Sequence, residues 1–238
     1  MMNDIKTAFG LIKYTASKRT VLPVVIIYPI LCLMDFTLYK SLFITPLCIG
    51  LIPIILLQYI YAAEMAGFVS TGARRKKTLI NGTFGVLCIS SALAYALVVV
   101  ILKIELMLVD KGLLEKDMAY PPQAAFLMIS IVLGVFLVLA PFMYRKYILT
   151  MAVFIPFCGL VGGVVGFTAG TIGALEYEMG DNMRILGALT SFRGMAILSF
   201  IIIVIGHCLF YVTSHLMYKY PMDRFAFRQM FREKKSKA

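Results

Sequence analysis

Six long apolar stretches take up most of this chain and constrain its fold more than any other feature. They cover residues 21–39, 41–63, 83–102, 123–144, 147–175 and 194–218. A helix of about 20 apolar residues crosses the hydrocarbon layer of a bilayer, which is roughly 30 Å thick. Backbone amides find no water there, so they must be hydrogen-bonded within the segment. The sequence therefore predicts an all-α, polytopic membrane protein with six transmembrane helices.

The composition excludes an ordinary soluble domain. Hydrophobic residues make up 61% of the chain and charged residues only 15%, with a mean hydropathy of +0.90. The connections between the stretches are too short to hold a soluble module. We therefore expect an interfacial helix over residues 1–19, a transmembrane domain over 20–218, and a basic cytoplasmic tail over 219–238.

The distribution of positive charge predicts the orientation of the chain. The net charge is +11, and with the N-terminus inside, 17 of the 23 lysines and arginines fall on the inner side. Cytoplasmic segments of membrane proteins carry such an excess. The sequence thus places both termini in the cytoplasm, with basic residues near anionic lipids rather than nucleic acid.

Both ends of the chain show amphipathic patterns. Ile5, Ala8 and Ile12 recur at helical spacing near the N-terminus, while Arg224 and Arg228 belong to a basic stripe in the tail. Helices of this kind lie in the membrane interface. We expect an amphipathic interfacial helix at each terminus.

The sequence carries no recognisable catalytic motif. It has no phosphate-binding loop of the type G-x-x-x-x-G-K-[ST], no H-E-x-x-H and no G-x-S-x-G. Ser199 and His207 are the strongest enzymatic pair, but two helical turns, about 12 Å of rise, separate them. His207 is either a packing residue or part of a transport pathway, since ionisable groups inside membranes often mark such paths. No metal site is predicted, because the five cysteines never pair at a ligand spacing.

Glycines at small-xxx-small spacing stand out in the fifth stretch. They are Gly159, Gly162, Gly163, Gly166 and Gly170. This spacing lets helix backbones approach closely. It predicts either a seam between subunits or at a moving interface, or ordinary packing within the chain.

The segment of residues 64–81 is the longest inner connection. Glu64 ends the second stretch, Phe68 follows in an apolar section, and a basic run comes after a turn of small residues; the run consists of Arg74, Arg75, Lys76 and Lys77. A plain positively charged loop would account for the charges alone. The length and mixed composition favour a short cytoplasmic helix that docks on a partner.

The whole arrangement resembles the permease subunits of ABC-2 type ABC transporters, in particular the small ones without a fused ATPase. The resemblance consists of the N-terminal amphipathic helix, the six spans with both ends inside, and the turn and basic run of residues 70–77. It extends to the irregular outer segment 176–193 and to the ending at residues 211–219. One departure is that the loop has no aromatic residue besides Phe68.

The resemblance implies a transport subunit that is not itself an enzyme. ATP and Mg would be held by a separate ATP-binding cassette subunit, docked on Glu64, Phe68 and the basic run, and a second permease chain, identical or related, would complete the assembly. The substrate would be an amphipathic or hydrophobic peptide, lipid or drug, exported across a bacterial cell membrane. The alternatives are an intramembrane enzyme and a non-transporting membrane scaffold or immunity protein that binds a peptide or partner.

Overall fold

A computed structural model describes the backbone of residues 2–15, 18–37, 44–65, 76, 78–113, 122–146, 148–150 and 191–220, together with positions 152, 156, 159 and 163. Side chains within these ranges are described except at 14–15, 18–25, 36, 62–65, 78 and 122–124. Most of the predicted fifth span, the tail beyond residue 220 and most of the basic loop lie outside the described residues.

Every regular element among the described residues is helical. The α-helices are α1 Met2–Thr15, α2 Lys18–Thr37, α3 Ile44–Gly50, α4 Ile52–Met65, α5 Thr83–Asp110, α6 Pro122–Arg145 and α7 Phe192–Met217, and a π-helical turn, Thr78–Gly82, leads into α5.

Four helical segments are long and apolar enough to cross a membrane. They are Ile44–Tyr61, Leu79–Asp110, Ala125–Arg145 and Phe192–Met217. These segments coincide with the second, third, fourth and sixth predicted spans, so the all-helical class is confirmed and four helices are compatible with a membrane-embedded protein. α2 lies where the first span was predicted, and its shorter apolar part is Ile26–Asp35.

These helices carry apolar side chains on the exposed surface of the bundle as well as in its interior. Leu93 and Leu97 on α5 and Ile197 and Val212 on α7 are all exposed. Contiguous exposed apolar surface is rare on soluble monomers. It is the surface that contact with lipid tails requires.

The second predicted span is interrupted at Leu51, which the sequence analysis did not anticipate. Pro53 is the second residue of α4 and has no backbone N–H to continue the hydrogen bonding of α3. The Leu51 amide still donates to the Leu47 carbonyl at 3.1 Å, and the Leu51 carbonyl accepts from the Ile54 and Ile55 amides. One apolar span therefore consists of two helices joined at a single residue.

Asp35 joins α2 to α3. Its carboxylate is buried and accepts hydrogen bonds from the Thr45 amide at 2.8 Å and the Thr45 hydroxyl at 3.1 Å. A negative charge is favourable at the positive N-terminal end of a helix. The buried aspartate thus fixes the antiparallel hairpin of the first two predicted spans.

α5 continues eight residues past the predicted end of its span, to Asp110. It ends where Gly112 adopts a φ of +70°, and the Gly112 and Leu113 amides donate to the Val109 and Leu108 carbonyls. This is a Schellman motif, in which glycine takes the left-handed conformation at low cost.

α6 and α7 run parallel and form the most extensive helix contact in the described structure. The rings of Phe126 and Phe192 lie 5.0 Å apart at one end, and Arg145 contacts the Tyr220 carbonyl at the other. Between these ends the backbones approach closely, because a Cβ on Gly206 would lie 2.9 Å from the Gly134 Cα.

Candidate functional site

α1 is docked against the π-helical turn and the start of α5. A Cβ on Gly82 would lie 2.6 Å from the Asp4 carbonyl oxygen, and one on Gly85 would lie 2.5 Å from the Ile5 side chain. At Gly82 the atom met is backbone, so glycine is what allows the two backbones to come this close. At Gly85 it is the end of the Ile5 side chain, which packs against the bare helix surface. The contact places α1 beside the end of the basic loop.

The apolar face of α1 packs on protein. Ala8 is fully buried with Ile60 and Val86, and Leu11 is buried with Leu79. The lysines Lys6 and Lys13 and the side chain of Phe9 point outward and are exposed. The apolar face of α1 thus covers part of the bundle. The location of α1 in the membrane interface stays a prediction.

Tyr218, the residue after α7, is a junction between four parts of the chain. It packs against Leu11 of α1 and Leu79 of the π-helical turn. Lys76 Nζ lies 5.8 Å from the centre of its ring, and the Arg145 guanidinium lies 5.6 Å from it. At these distances both cations are attracted by the ring. These contacts join α1, the π-helical turn, Lys76 and α6 at the end of α7.

The residues predicted to contact an ATPase are described only in part. Lys76 is exposed and lies at the Tyr218 junction. The backbone of Glu64 lies in the last turn of α4, at the same end of the bundle. Phe68, Arg74, Arg75 and Lys77 lie outside the described residues.

Charge is unevenly placed at the two ends of the described bundle. One end carries Lys76, Arg145, Lys146 and Lys219 around Tyr218 and Tyr220. Asp4 and the backbone of Glu64 lie at this end too, whereas the other end holds three acidic and three basic residues, Asp35, Lys103, Glu105, Asp110, Lys111 and Arg193. The groups that the sequence assigns to one side of the membrane therefore lie at one end of the structure.

The glycines predicted to form a seam are described at two positions. Gly159 and Gly163 are helical and exposed, and a Cβ on either would meet no other described atom within 4 Å. Gly162, Gly166 and Gly170 lie outside the described residues. The close backbone contact between Gly134 and Gly206 was missed: Gly206 has no small residue four positions away, and Ser130, four residues before Gly134, was not recognised as its small-xxx-small partner.

His207 is buried in the bundle, on the side of α7 that faces α5. Its Nδ1 donates to the Ile203 carbonyl at 2.8 Å, and its ring meets that of Phe84 edge-on at 6.4 Å. A carbonyl only accepts, so Nδ1 is assigned as the donor of this bond, and Nε2 is the other ring nitrogen. This buried Nε2 has no hydrogen-bond partner among the described residues.

Several buried hydroxyl groups also lack a hydrogen-bond partner among the described residues. The Oγ atoms of Ser91, Ser199 and Ser214 are buried and also have no partner among the described residues. By helical periodicity Ser91 lies on the face of α5 that carries Phe84 and Tyr95, and Ser214 lies on the face of α7 that carries His207. Each such buried group costs about 1–3 kcal/mol. The contact between α5 and α7 thus holds buried polar groups that have no partner among the described residues.

Two further observations bear on chemistry at this site. Ser199 and His207 lie two turns apart on one straight helix, so the structure does not bring them together. Across the described residues, no group of three or more histidine, cysteine, aspartate or glutamate side chains could hold a metal ion. The basic and aromatic cluster around Tyr218 and Tyr220 was not predicted, because its members are far apart in sequence.

The fold and this site define a helical membrane protein with a basic, aromatic end and a partly polar interior. No protein-family model matches the sequence, and neither the curated proteins nor the solved structures contain a significant match to it.

Proposed function

We propose that this chain is the membrane-spanning permease subunit of an ABC transporter. It would move an amphipathic or hydrophobic substrate (a peptide, lipid or drug, mainly by export) with ATP hydrolysed by a separate subunit. A second permease chain would complete the complex in a bacterial cell membrane, with both termini in the cytoplasm.

The Tyr218 junction is the observation that carries this proposal. A permease must convert movement of a bound ATPase into movement of its membrane helices. Lys76, from the segment proposed to dock the ATPase, contacts the same ring as Arg145 of α6, and that ring packs on α1. Movement of the docked segment would therefore be passed to α1, α6 and α7 together.

The direction of the helices supports six spans. Because α6 and α7 are parallel, Lys146 and Ser191 lie at opposite ends of the pair, and the chain must cross from one end to the other between them. A span over residues 147–175 meets this requirement. It also leaves the C-terminus at the same end as α1.

The proposal is tested by purifying the full chain with the ATPase encoded next to it and comparing ATP hydrolysis of the complex with that of the ATPase alone. We expect a stable complex whose hydrolysis differs from that of the isolated ATPase. Glu64→Ala, or acidic residues at 74–77, should weaken binding several-fold. A chain that binds no nucleotide-binding subunit would contradict the proposal.

Substitutions at the junction separate docking from coupling. Tyr218→Ala should leave ATPase binding within twofold but reduce the change in hydrolysis several-fold, because Lys76, Arg145 and α1 lose their common contact. Tyr218→Phe keeps the ring and the cation contacts and should behave as the natural chain. If biological function survives an inactive ATPase, the scaffold or immunity alternative is favoured instead.

A further inference from the structure

A groove on the outer side of the α6–α7 pair is lined almost wholly by apolar side chains. Its volume is about 300 Å³, at the lower end for sites that hold small molecules. The lining includes Ile131, Gly134, Val135, Ile202, Ile205 and Leu209. Ile205 and Leu209 are about half exposed, so the groove opens toward the lipid. It exists because the two glycines at the crossing carry no side chains to fill it.

Cationic and aromatic residues stand at the basic end of the same helix pair. Lys146 Nζ lies 4.8 Å and Lys219 Nζ lies 5.1 Å from the centre of the Tyr220 ring. The Arg145 guanidinium donates to the Tyr220 carbonyl, which fixes this turn against α6. Both lysines are exposed. Two ammonium groups are thus held around one ring and remain accessible to an anion.

Helical periodicity aligns this cationic group with the groove. Lys146 follows Leu139 by seven residues, close to two turns, and Tyr220 follows Leu209 by eleven residues, close to three turns. The amides of Tyr218 and Tyr220 donate to the Ser214 and Met217 carbonyls, so the turn after α7 continues its course. Groove and cations therefore lie along one line on the surface.

The near part of the groove lies within the depth of one lipid leaflet. At 1.5 Å per residue, the groove starts about 10 Å from Lys146, at Leu139, and reaches about 22 Å, at Ile131. Acyl chains of one leaflet descend about 15 Å, half of the hydrocarbon thickness. A chain whose headgroup sits at the lysines would enter the groove with its distal part.

We propose that this line is a binding site for one anionic phospholipid, with the phosphate beside Lys146 and Lys219 and an acyl chain in the groove. A second copy of this chain is the less suitable occupant, because a symmetric contact along the line would bring like charges together. The site does not depend on the proposed ATPase, so it is tested on the chain alone.

The absence of tryptophan in the sequence gives a clean reporter. Val212→Trp places one beside the groove without altering its lining, and Ile89→Trp places a control on α5; the natural residues are 52% and 43% exposed. Each variant is reconstituted in phosphatidylcholine vesicles containing brominated phosphatidylglycerol or brominated phosphatidylcholine. We expect stronger quenching by the anionic lipid at position 212 and equal quenching by both lipids at position 89.

Further substitutions test the two lysines and the groove separately. In the Val212→Trp background, Lys146→Gln with Lys219→Gln should reduce the preference for the anionic lipid by about fivefold per lysine. The matched pair Lys103→Gln with Lys111→Gln, at the other end, should leave it unchanged. Val135→Phe, which fills the groove without changing charge, should also weaken it.

Each contrary result overturns the proposal. Equal quenching at position 212 by both lipids would show that no anionic lipid is selected there. A preference that survives loss of both lysines, or one that survives Val135→Phe, would show that the two parts do not form one site. A tryptophan at position 212 shielded from both lipids would show that protein covers the groove.

Discussion

The two sides of α7 are held by different means. Toward α6, glycine faces glycine and the backbones nearly touch, with apolar side chains around them. Toward α5, the contact is made by the rings of Tyr95, Phe200 and Phe84 and by a hydrogen bond from the Tyr95 hydroxyl to the Ala196 carbonyl. Between these rings lie His207 and hydroxyls without described partners.

The interface of α7 with α6 is a close backbone contact, whereas the interface of α7 with α5 contains buried polar atoms without described partners. Close backbone packing is a main source of helix association in membranes, where lipid tails compete with any apolar side chain. Buried polar atoms without partners lower stability, and features that break local rules are expected at functional sites. We therefore regard the α6 side as the fixed part of the bundle and the α5 side as the part that rearranges.

The largest effect is expected from Gly206→Ala. The added Cβ would meet the backbone of Gly134, which cannot move aside as a side chain can. We expect the free energy of unfolding in detergent to fall by about 1–3 kcal/mol, although alanine is the better helix former by about 1 kcal/mol.

Gly159→Ala is the matched control for that substitution. A Cβ there meets no described atom within 4 Å, so stability should stay constant or rise slightly. Equal destabilisation by both substitutions would show that the loss at Gly206 does not come from its close contact with the backbone of α6.

A smaller loss is expected from Tyr95→Phe, on the α5 side. The ring contacts remain, and only the hydroxyl that donates to Ala196 is removed. The net contribution of one such bond is about 1 kcal/mol, measurable by the same unfolding experiment. Tyr211→Phe serves as the control, because its hydroxyl lies at the limiting distance of 3.5 Å from Asn81; a comparable loss there would contradict our assignment of the Tyr95 bond.

The smallest effect on stability is expected from His207→Leu. Leucine removes the buried Nε2 that has no described partner and also the Nδ1 donor to the Ile203 carbonyl, which still accepts a backbone bond within the helix. The gain and the loss are of similar size, about 1 kcal/mol each. We expect a change within about 1 kcal/mol, together with reduced transport if this interface rearranges during function.

The control for this substitution is His215→Leu at an exposed position, where stability should change by no more than about 0.5 kcal/mol. A loss of more than about 2 kcal/mol on replacing His207 would identify that histidine as a packing residue and remove it from the pathway.

The helices themselves were predictable because membrane insertion requires long apolar stretches. The sequence placed the start of α5 at Thr83 and the ends of α6 and α7 within two residues of those observed. It did not anticipate the interruption at Leu51. A proline within a span indicates a bend, but it does not say whether the helix bends or divides.

The hydrophobic pattern of the sequence does not show which surface each helix packs against. The amphipathic face of α1 is equally suited to lipid and to protein, and only the three-dimensional structure shows Ala8 and Leu11 packed inside the bundle. The Tyr218 junction joins residues 11, 76, 79 and 145. No local spacing relates positions so distant in sequence.

The parallel pairing of α6 and α7 also determines the order in which the protein can be assembled. The helix that covers Gly134 is the last of the described helices to leave the ribosome, more than forty residues after α6. Until then Arg145 lacks the Tyr220 carbonyl that it contacts in the finished protein. Premature termination before Phe192 would thus release a chain in which α6 lacks both the helix that approaches Gly134 and the Tyr220 carbonyl that Arg145 contacts.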